Sequence, residues 1–376
     1  MDAIEQAAEL LDLDAKWLQE FDVTDPFSGL AMTGCLSMKP DHRYGALALL
    51  TVDGKDAPQR ILATPKLHYP FGKTGEFHFP PIKHIDIFEK LDGTNVLAYR
   101  FKDVSGKEHV TYKLRLHPVL RNGRWGNFLD MWRELLERHP AIAELPARND
   151  CAISFEMYGA RNAHLILYEN ALDCAVLFGI DAEGRCRPPG DLDLQEVPVP
   201  KLYGRLNADD DPVAAFARIR EEIEADIKPT DDDKLTGSEG AVWHILTTAG
   251  EQVLFKCKPE SVEAIHWKGG LNKEGVRATC WNLLETQDNL EYAALERLLL
   301  EEYQADDIER FRDHIDQCLA EVQADLDFRN RVLDAYAATG MKLADDKPAL
   351  MRALSAQFQK PEMKKVFNVL KHSGAQ

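Results

Sequence analysis

The chain reads as an α+β protein, with a strand-rich centre and an all-helical C-terminal part. Three observations predict this. Between residues 81 and about 260, short apolar segments alternate with polar positions, the period of a half-buried strand. From about residue 261 to the end, apolar residues fall at helical spacings instead. Ile308, Phe311, Ile315, Cys318, Val322 and Leu326 recur every three or four positions and make one stripe. Ahead of both parts, a short helical pattern precedes two apolar runs.

Taken in order, residues 1–80 open with Ile4, Ala7, Ala8, Leu11, Trp17 and Leu18 in a helical pattern. GALALLTV and RILATPKL follow as strands, and DGKDAP between them suits a hairpin loop. We expect this region to be an N-terminal helix plus β-hairpin, partly an extension of the next domain. Residues 81–260 offer eight candidate strands: IDIFEKL, NVLAYRF, HVTYKLRL, AISFEMYG, HLILYE, CAVLFGID, GAVWHIL and QVLFKCK. Two helices interrupt them, FLDMWRELLERH and PVAAFARIREEIEADI, the second before the acidic loop PTDDDKLTGSEG. Residues 261–376 form a helical domain punctuated by Gly340 and Pro348.

Composition narrows the function classes. The chain has 376 residues, 45% of them hydrophobic, which supports a sizeable core. No run of eighteen apolar residues occurs, so no transmembrane helix is expected. The start, MDAIEQAAELLDLDAKW, lacks the basic lead and apolar block of a signal peptide. Seven scattered cysteines without a CxxC pair fit reduced thiols and give no zinc framework. The expectation is a cytoplasmic protein with no membrane partner and no evident obligate protein partner. The formal charge of −18 repels phosphate at long range, so a nucleic-acid substrate would require a local basic groove.

Some signals are decoys. PFGKTGEF contains a GKT, but the first glycine of a P-loop would fall at Leu67, so a turn is expected. The twelve histidines show no HExxH spacing. His68, His78 and His84 precede the central motif and suit turn or surface positions. One of them, or Lys66 or Lys83, could reach a triphosphate tail.

The chemistry gathers on a few strands. In FEKLDGTNVLAYRF, Lys90 ends a strand, Gly93 permits close backbone approach, and Asp92 and Asn95 add polar groups to the same turn. Glu156 sits inside the apolar ISFEMYG, where a carboxylate is costly unless paired or metal-bound. Glu239 opens the strand SEGAVWHIL. Lys256 and Lys258 share one face of VLFKCKP, with Cys257 on the other. Two such lysines repel unless an anion lies between them, and a phosphate is the obvious anion. A lysine attacks phosphorus only as the neutral amine, and desolvation, nearby cations and a metal all lower its pKa.

In this order the motifs resemble the covalent nucleotidyltransferases, which include nucleic-acid ligases and mRNA capping enzymes. The family pattern is KxDG, a strand glutamate, an aromatic-bearing strand, EG followed by apolar residues, and KxK. Here it reads Lys90-Leu-Asp-Gly-Thr-Asn, Phe155-Glu-Met-Tyr-Gly, Leu177-Phe-Gly-Ile-Asp, Glu239-Gly-Ala-Val and Lys256-Cys-Lys, across residues from about 80 to 260. DNA ligases usually carry arginine where Asn95 stands. KxxGTN and FKCK look like the ATP-dependent RNA ligases of the phage RNA ligase 2 and RNA-editing group, and no OB-fold is evident after the last motif.

The resemblance implies an antiparallel-sheet nucleotidyltransferase (adenylyltransferase) domain with an all-α C-terminal domain. It implies ATP and Mg²⁺ (or Mn²⁺), and RNA with 5′-phosphate and 3′-OH ends. Lys90 would form the lysyl-AMP phosphoramide. Glu89 would lie beside the adenine, with Leu91 also at the nucleotide. Asn95 would contact the phosphate or ribose side, and Glu156 the ribose or a metal-bound water. Phe178 would stack on the adenine, Glu239 would support the metal, and Lys256 and Lys258 would hold the AMP phosphate. A motif arginine is expected at Arg115, with Arg121 the alternative. Lys113, Arg115, Arg121 and Arg124, interleaved with Tyr112 and Trp125, suit a phosphate-tracking groove, although a solvated strand and loop would look the same. Lys268, Lys273, Arg277 and the basic end KPEMKKVFNVLKH are further places for RNA to meet the chain. A GTP-using capping-type guanylyltransferase, a DNA-nick ligase and an inactive nucleotide- or RNA-binding module are the rival readings.

Overall fold

The computed structural model describes residues 2–39, 41–72, 75–123, 125–230, 234–267, 271, 273–300, 303 and 305–373. Helix α1 (Ala3–Leu11) stops where Asp12 turns left-handed at φ 51°. Trp17 and Leu18 therefore do not continue the helix, as the sequence pattern suggested. Trp17 closes a 3₁₀ turn and Leu18 begins a strand. A four-stranded antiparallel sheet follows: β1 (Leu18–Thr24), β2 (Ala31–Ser37), β3 (Leu47–Val52) and β4 (Lys55–Ile61), in that spatial order. The hairpin between β3 and β4 turns on two residues, Asp53 (φ 54°) and Gly54 (φ 70°). Positive φ at both is what a right-twisted hairpin asks of a two-residue loop. Lys55 to Pro58, expected in the loop, accordingly lie in β4, an edge strand where proline is tolerated.

Further strands are β5 (Ile82–Lys90), β6 (Thr94–Lys102), β7 (Glu108–Leu114), β8 (Ala152–Tyr158), β9 (Asp173–Ile180), β10 (Cys186–Arg187), β11 (Leu202–Asn207), β12 (Lys228–Pro229), β13 (Leu235–Thr236), β14 (Gly240–Thr247) and β15 (Gln252–Cys257). They build a five-stranded sheet ordered β10-β9-β8-β6-β7, a four-stranded sheet ordered β11-β5-β14-β15 and a two-stranded ribbon of β12 and β13. Their pairings are antiparallel throughout. HLILYE, expected as a strand, is not one. Its backbone runs beside Leu235 and, as shown below, serves a carboxylate.

The five-stranded sheet is buried on both faces. Phe155 and Val96 pack with Trp132 and Leu135 of α2 (Phe128–Arg138) and with Leu145 of α3 (Leu145–Arg148). Leu97, Tyr99 and Phe178 face Leu47 and Leu49 of the N-terminal sheet, so that sheet shares a core with the centre. The third sheet turns Ile85, Ile87 and Trp243 toward Phe216 and Ile219 of α4 (Pro212–Asp226). Each isoleucine or phenylalanine buried this way contributes about 1.5–3 kcal/mol relative to exposure. Alternation then sends Phe88, Lys90 and Val242 to the opposite face, toward the five-stranded sheet.

The rest is helical, as expected: α5 (Glu260–Trp267), α6 (Lys273–Leu284), α7 (Tyr292–Leu299), α8 (Ala305–Arg310), α9 (Arg312–Thr339), α10 (Lys347–Leu354) and α11 (Met363–His372). Ile315, Cys318, Val322 and Leu326 form the buried stripe of α9 against α6 and α7. The far end of α9 packs with α10 and α11. All seven cysteines are buried thiols.

Two glycines give contrasting tests. A Cβ at Gly34 would sit 2.0 Å from the Ala48 carbonyl oxygen, whereas Gly54 has open space and only its φ of +70° to defend. Gly54→Ala should cost about 1 kcal/mol, and Gly34→Ala should lower the melting temperature clearly further. Equal thermal shifts in the two variants would contradict the packing described.

Candidate active site

The third and second sheets enclose a cavity of about 390 Å³. Glu89, Lys90, Leu91, Asn95, Arg115, Glu156, Phe178, Glu239, Lys256 and Lys258 all line it. Every site residue expected from the sequence thus meets in one place. Arg121 does not line it. Its guanidinium pairs with Asp288 at 2.5 Å and donates to the Thr286 carbonyl, bridging to the helical part.

Lys90 is carried to the cavity by β5, and the register sets it opposite Gly240 of β14. Glu239, one residue before, accepts from Lys90 Nζ through Oε2. Its other oxygen pairs with Lys258 Nζ at 2.7 Å. One buried carboxylate is thus shared by two ammonium groups, which together hold its pKa down near 2 against burial. Burial alone would lower the Lys90 pKa. Glu239, with Glu156 and Asp92, outweighs that and raises it. The expectation of a lowered lysine pKa is therefore reversed, because the nearest charges are carboxylates rather than Lys256 and Lys258. Lys256 lies over the Tyr69 ring, 4.6 Å from its centroid.

The turn after Lys90 is tightly held. Gly93 N–H donates to Glu156 Oε1 at 3.0 Å, and a Cβ at Gly93 would meet the Met157 carbonyl oxygen at 2.2 Å. The Asp92 carboxylate accepts from the Leu165 and Ile166 amides, each at 2.6 Å. This is the task of the HLILYE segment. Asn95 Nδ2 donates to Ser154 Oγ and the Phe155 carbonyl. Burial pushes Glu156 up to about 8 despite Lys90.

At the other end Phe88, Phe178 and Val242 form apolar walls. His244, which sequence reasoning did not single out, stands edge-on to Phe88 and Phe178, at 5.4 and 5.8 Å. Burial lowers its pKa to about 4, and its Nδ1 has no partner among the described residues. Glu89 is raised by burial, offset by Ser238 and Lys201.

The helical part closes the cavity. Thr279, Asn282, Glu285 and Thr286, from α6 and the turn after it, line it. None was legible as a site residue, since only the tertiary fold brings α6 here. Trp125 stacks on Trp281 at 4.5 Å, with the Arg329 guanidinium over Trp125. The basic stretch proposed as a phosphate groove is therefore largely spent. Tyr112 and Lys113 are buried, Arg121 and Trp125 hold the junction, and Arg124 lies outside the described residues. Lys273 and Arg277 pair with Glu321 and Asp325 of α9, while Lys268 and residues 73–74 of the GKT also lie outside the described residues. Lys66 lines the cavity, and His84 pairs with Asp86 at 3.0 Å.

Among the described residues no three His, Cys, Asp or Glu converge as a metal-ligand set. The donor chemistry nonetheless fits a hard cation. Asp92, Glu156, Glu239 and Glu285 lie near the amines, and burial pushes Glu156 and Glu285 up to about 8. Magnesium takes one or two carboxylates and fills its shell with water and substrate phosphate. Glu156 and Glu239, the two expected ligands, both line the cavity, with Glu239 engaged by Lys90 and Lys258.

No family model matches the chain, and no curated protein matches it. Among solved structures it is similar to an archaeal ATP-dependent RNA ligase (form 2), with 15% identity, 99% of each chain covered and a TM-score of 0.47. It is similar to a putative ATP-dependent DNA ligase from Aquifex aeolicus, at 14% identity, 92% and 86% coverage and a TM-score of 0.40. A Naegleria gruberi RNA ligase mutant with AMP and Mn shows 12% identity, 69% and 82% coverage and a TM-score of 0.35.

Lys113 supports the site from behind. It is fully buried in β7 and donates to the Leu114 and Arg115 carbonyls at 2.8 and 2.9 Å, fixing the backbone that carries Arg115. Burial, helped by Arg115, lowers its pKa from 10.5 to about 7. Between those values the unfolded chain holds more protons than the folded one, so this residue makes stability rise with pH. Chemical denaturation from pH 7 to 10 should show that rise in the wild type and a flatter profile in Lys113→Met. Parallel profiles would contradict it.

Proposed function

We propose that the chain is an ATP-dependent RNA ligase of the covalent nucleotidyltransferase class, joining 3′-OH and 5′-phosphate ends. The observation that carries the reading is the shared carboxylate: half-buried Lys90 and Lys258 held on the buried Glu239, in a cavity that also gathers Glu156, Lys256, Arg115 and Phe178. Such a site suits a nucleotide with its base between the apolar walls and its phosphates at the lysines.

ATP phosphates entering between Lys90, Lys256 and Lys258 compete for the ammonium groups that Glu239 now holds. With the phosphate charge met by Lys256 and Lys258 and Glu239 no longer facing Lys90, burial favours the neutral amine, whose proton passes to a cavity carboxylate and on to solvent. That amine attacks the α-phosphorus, the P–N bond forms with loss of a second nitrogen proton to solvent, and pyrophosphate leaves with the electron pair of the broken P–O bond. Lys258 and Lys256 face the charge that develops on the α-phosphate. A magnesium ion, when bound through Glu156 or Glu239, supplies further neutralisation of phosphate charge. The adenylyl group then passes to an RNA 5′-phosphate, and a 3′-hydroxyl attacks that phosphate and releases AMP. Asn95, locked by Ser154 and Phe155, fits the sealing steps through its place on the same turn. The protein would reside in the cytoplasm and serve RNA repair.

Exposure to ATP and magnesium should add one adenylate to Lys90, read by intact mass and peptide mapping, whereas GTP should add nothing. Lys90→Ala should abolish the adduct, and Lys258→Met should slow its formation about 10²- to 10³-fold, the usual loss when one charge-stabilising group is removed. Sealing assays on nicked, gapped and single-stranded RNA, with DNA counterparts, should give product on RNA. Guanylylation, DNA-only sealing or no adduct would favour the capping, DNA-ligase and inactive readings in turn.

A further inference from the structure

Glu285 closes the 164–168 cradle from the helical side. Thr94 Oγ1, in the turn after Lys90, donates to Glu285 Oε1 at 3.0 Å. The same oxygen lies 3.3 Å from His164 Nε2. His164 immediately precedes Leu165 and Ile166, whose amides hold Asp92, and the Asp92 N–H is capped by Tyr168 Oη at 2.8 Å. Gly93 is fixed by Glu156 on the other side. Every residue from Asp92 to Asn95 is thus tied down, and one tie comes from a separate, helical part of the chain. That part is seated by the Trp125–Trp281 stack and the Arg121–Asp288 pair, so Glu285 is delivered to a defined position.

We propose that Glu285 is a positioning residue of the adenylation site, acting through Thr94 and His164 to lock the turn that aims Lys90, and that the helical part is thereby needed in lysyl-AMP formation. This rests on the function proposed above. A largely desolvated carboxyl is an expensive addition to a threonine hydroxyl that Asn162 also contacts, and its placement at the turn of the nucleophile gives it a task. Its Oε1 accepts from Thr94 and, where His164 carries its proton on Nε2, from His164 as well, and the carbonyl oxygen of a glutamine accepts from both in the same way. Glutamine is therefore the conservative replacement, and alanine removes both contacts.

The test compares adenylate formation from ATP by the full chain in wild type, Glu285→Gln, Glu285→Ala, Thr94→Val and the Thr94→Val/Glu285→Ala double variant. Glu285→Ala should lower the saturated rate about tenfold with the KM for ATP nearly unchanged, and Glu285→Gln should stay within about threefold of wild type. In the Thr94→Val background, Glu285→Ala should cost clearly less than it does in the wild type, since one of its two partners is already gone and only the His164 contact remains to be lost. A wild-type rate in Glu285→Ala, an undiminished penalty in the double variant, or Gln as slow as Ala would each overturn the proposal. Hydrogen exchange at the Gly93 and Thr94 amides reads the same lock without catalysis. Exchange should be faster in Glu285→Ala than in wild type and Glu285→Gln, and unchanged exchange overturns the lock. A wild type that never adenylylates would sink the ligase reading alone, and the exchange measurement would still decide this one.

Discussion

One buried carboxylate between two half-buried amines organises this molecule. Glu239 is 6% exposed and faces Lys90 and Lys258 at once. Taking three charges out of water is expensive, and their attraction repays it only with close geometry. The fold supplies that geometry. Antiparallel pairing of β5 with β14 sets Gly240 against Lys90, and pairing of β14 with β15 sets Ala241 against Cys257, so both lysines converge on the residue that precedes β14. Gly240 has φ 155° and no room for a Cβ, which would lie 2.2 Å from the Cys257 carbonyl oxygen. Removing Glu239 leaves both ammonium groups without their shared carboxylate, whereas removing one lysine leaves Glu239 paired with the other.

The same arrangement explains how an acidic chain can handle an acidic substrate. Within the cavity Lys66, Lys90, Arg115, Lys256 and Lys258 stand against Glu89, Asp92, Glu156, Glu239 and Glu285, and burial pushes Glu156 and Glu285 up to about 8. With those two carboxyls holding protons near neutral pH, positive charge is locally in excess, which suits a phosphate. The lysine that would serve as nucleophile is meanwhile kept as an ammonium by Glu239, so its reactivity is coupled to the arrival of phosphate.

Much of the site was legible in sequence because polar residues inside apolar strands are conspicuous. Lys90, Glu156, Glu239, Lys256 and Lys258 interrupt runs of Ile, Phe, Val and Leu, and each interruption marks the cavity face. What stayed hidden has physical causes. β1 carries mixed polar side chains on an edge, and β2, rich in small residues, shows no clear alternation. HLILYE alternates like a strand, yet its value lies in backbone amides directed at Asp92, which no side-chain pattern reports. Lys113 reads as a surface cation and is buried. Glu285 reads as one acid among many on a helix, and only the docking of α6 brings it to Thr94.

The most direct measurement is the titration of Lys90 Nζ by NMR on lysine-labelled protein, without nucleotide, in wild type and Glu239→Gln. With Glu239 present the amine should titrate above the ordinary lysine value of 10.5, and with glutamine in its place burial should gain the upper hand and bring the value down. A wild-type Lys90 already titrating below that value, or one indifferent to loss of the Glu239 charge, would contradict the account.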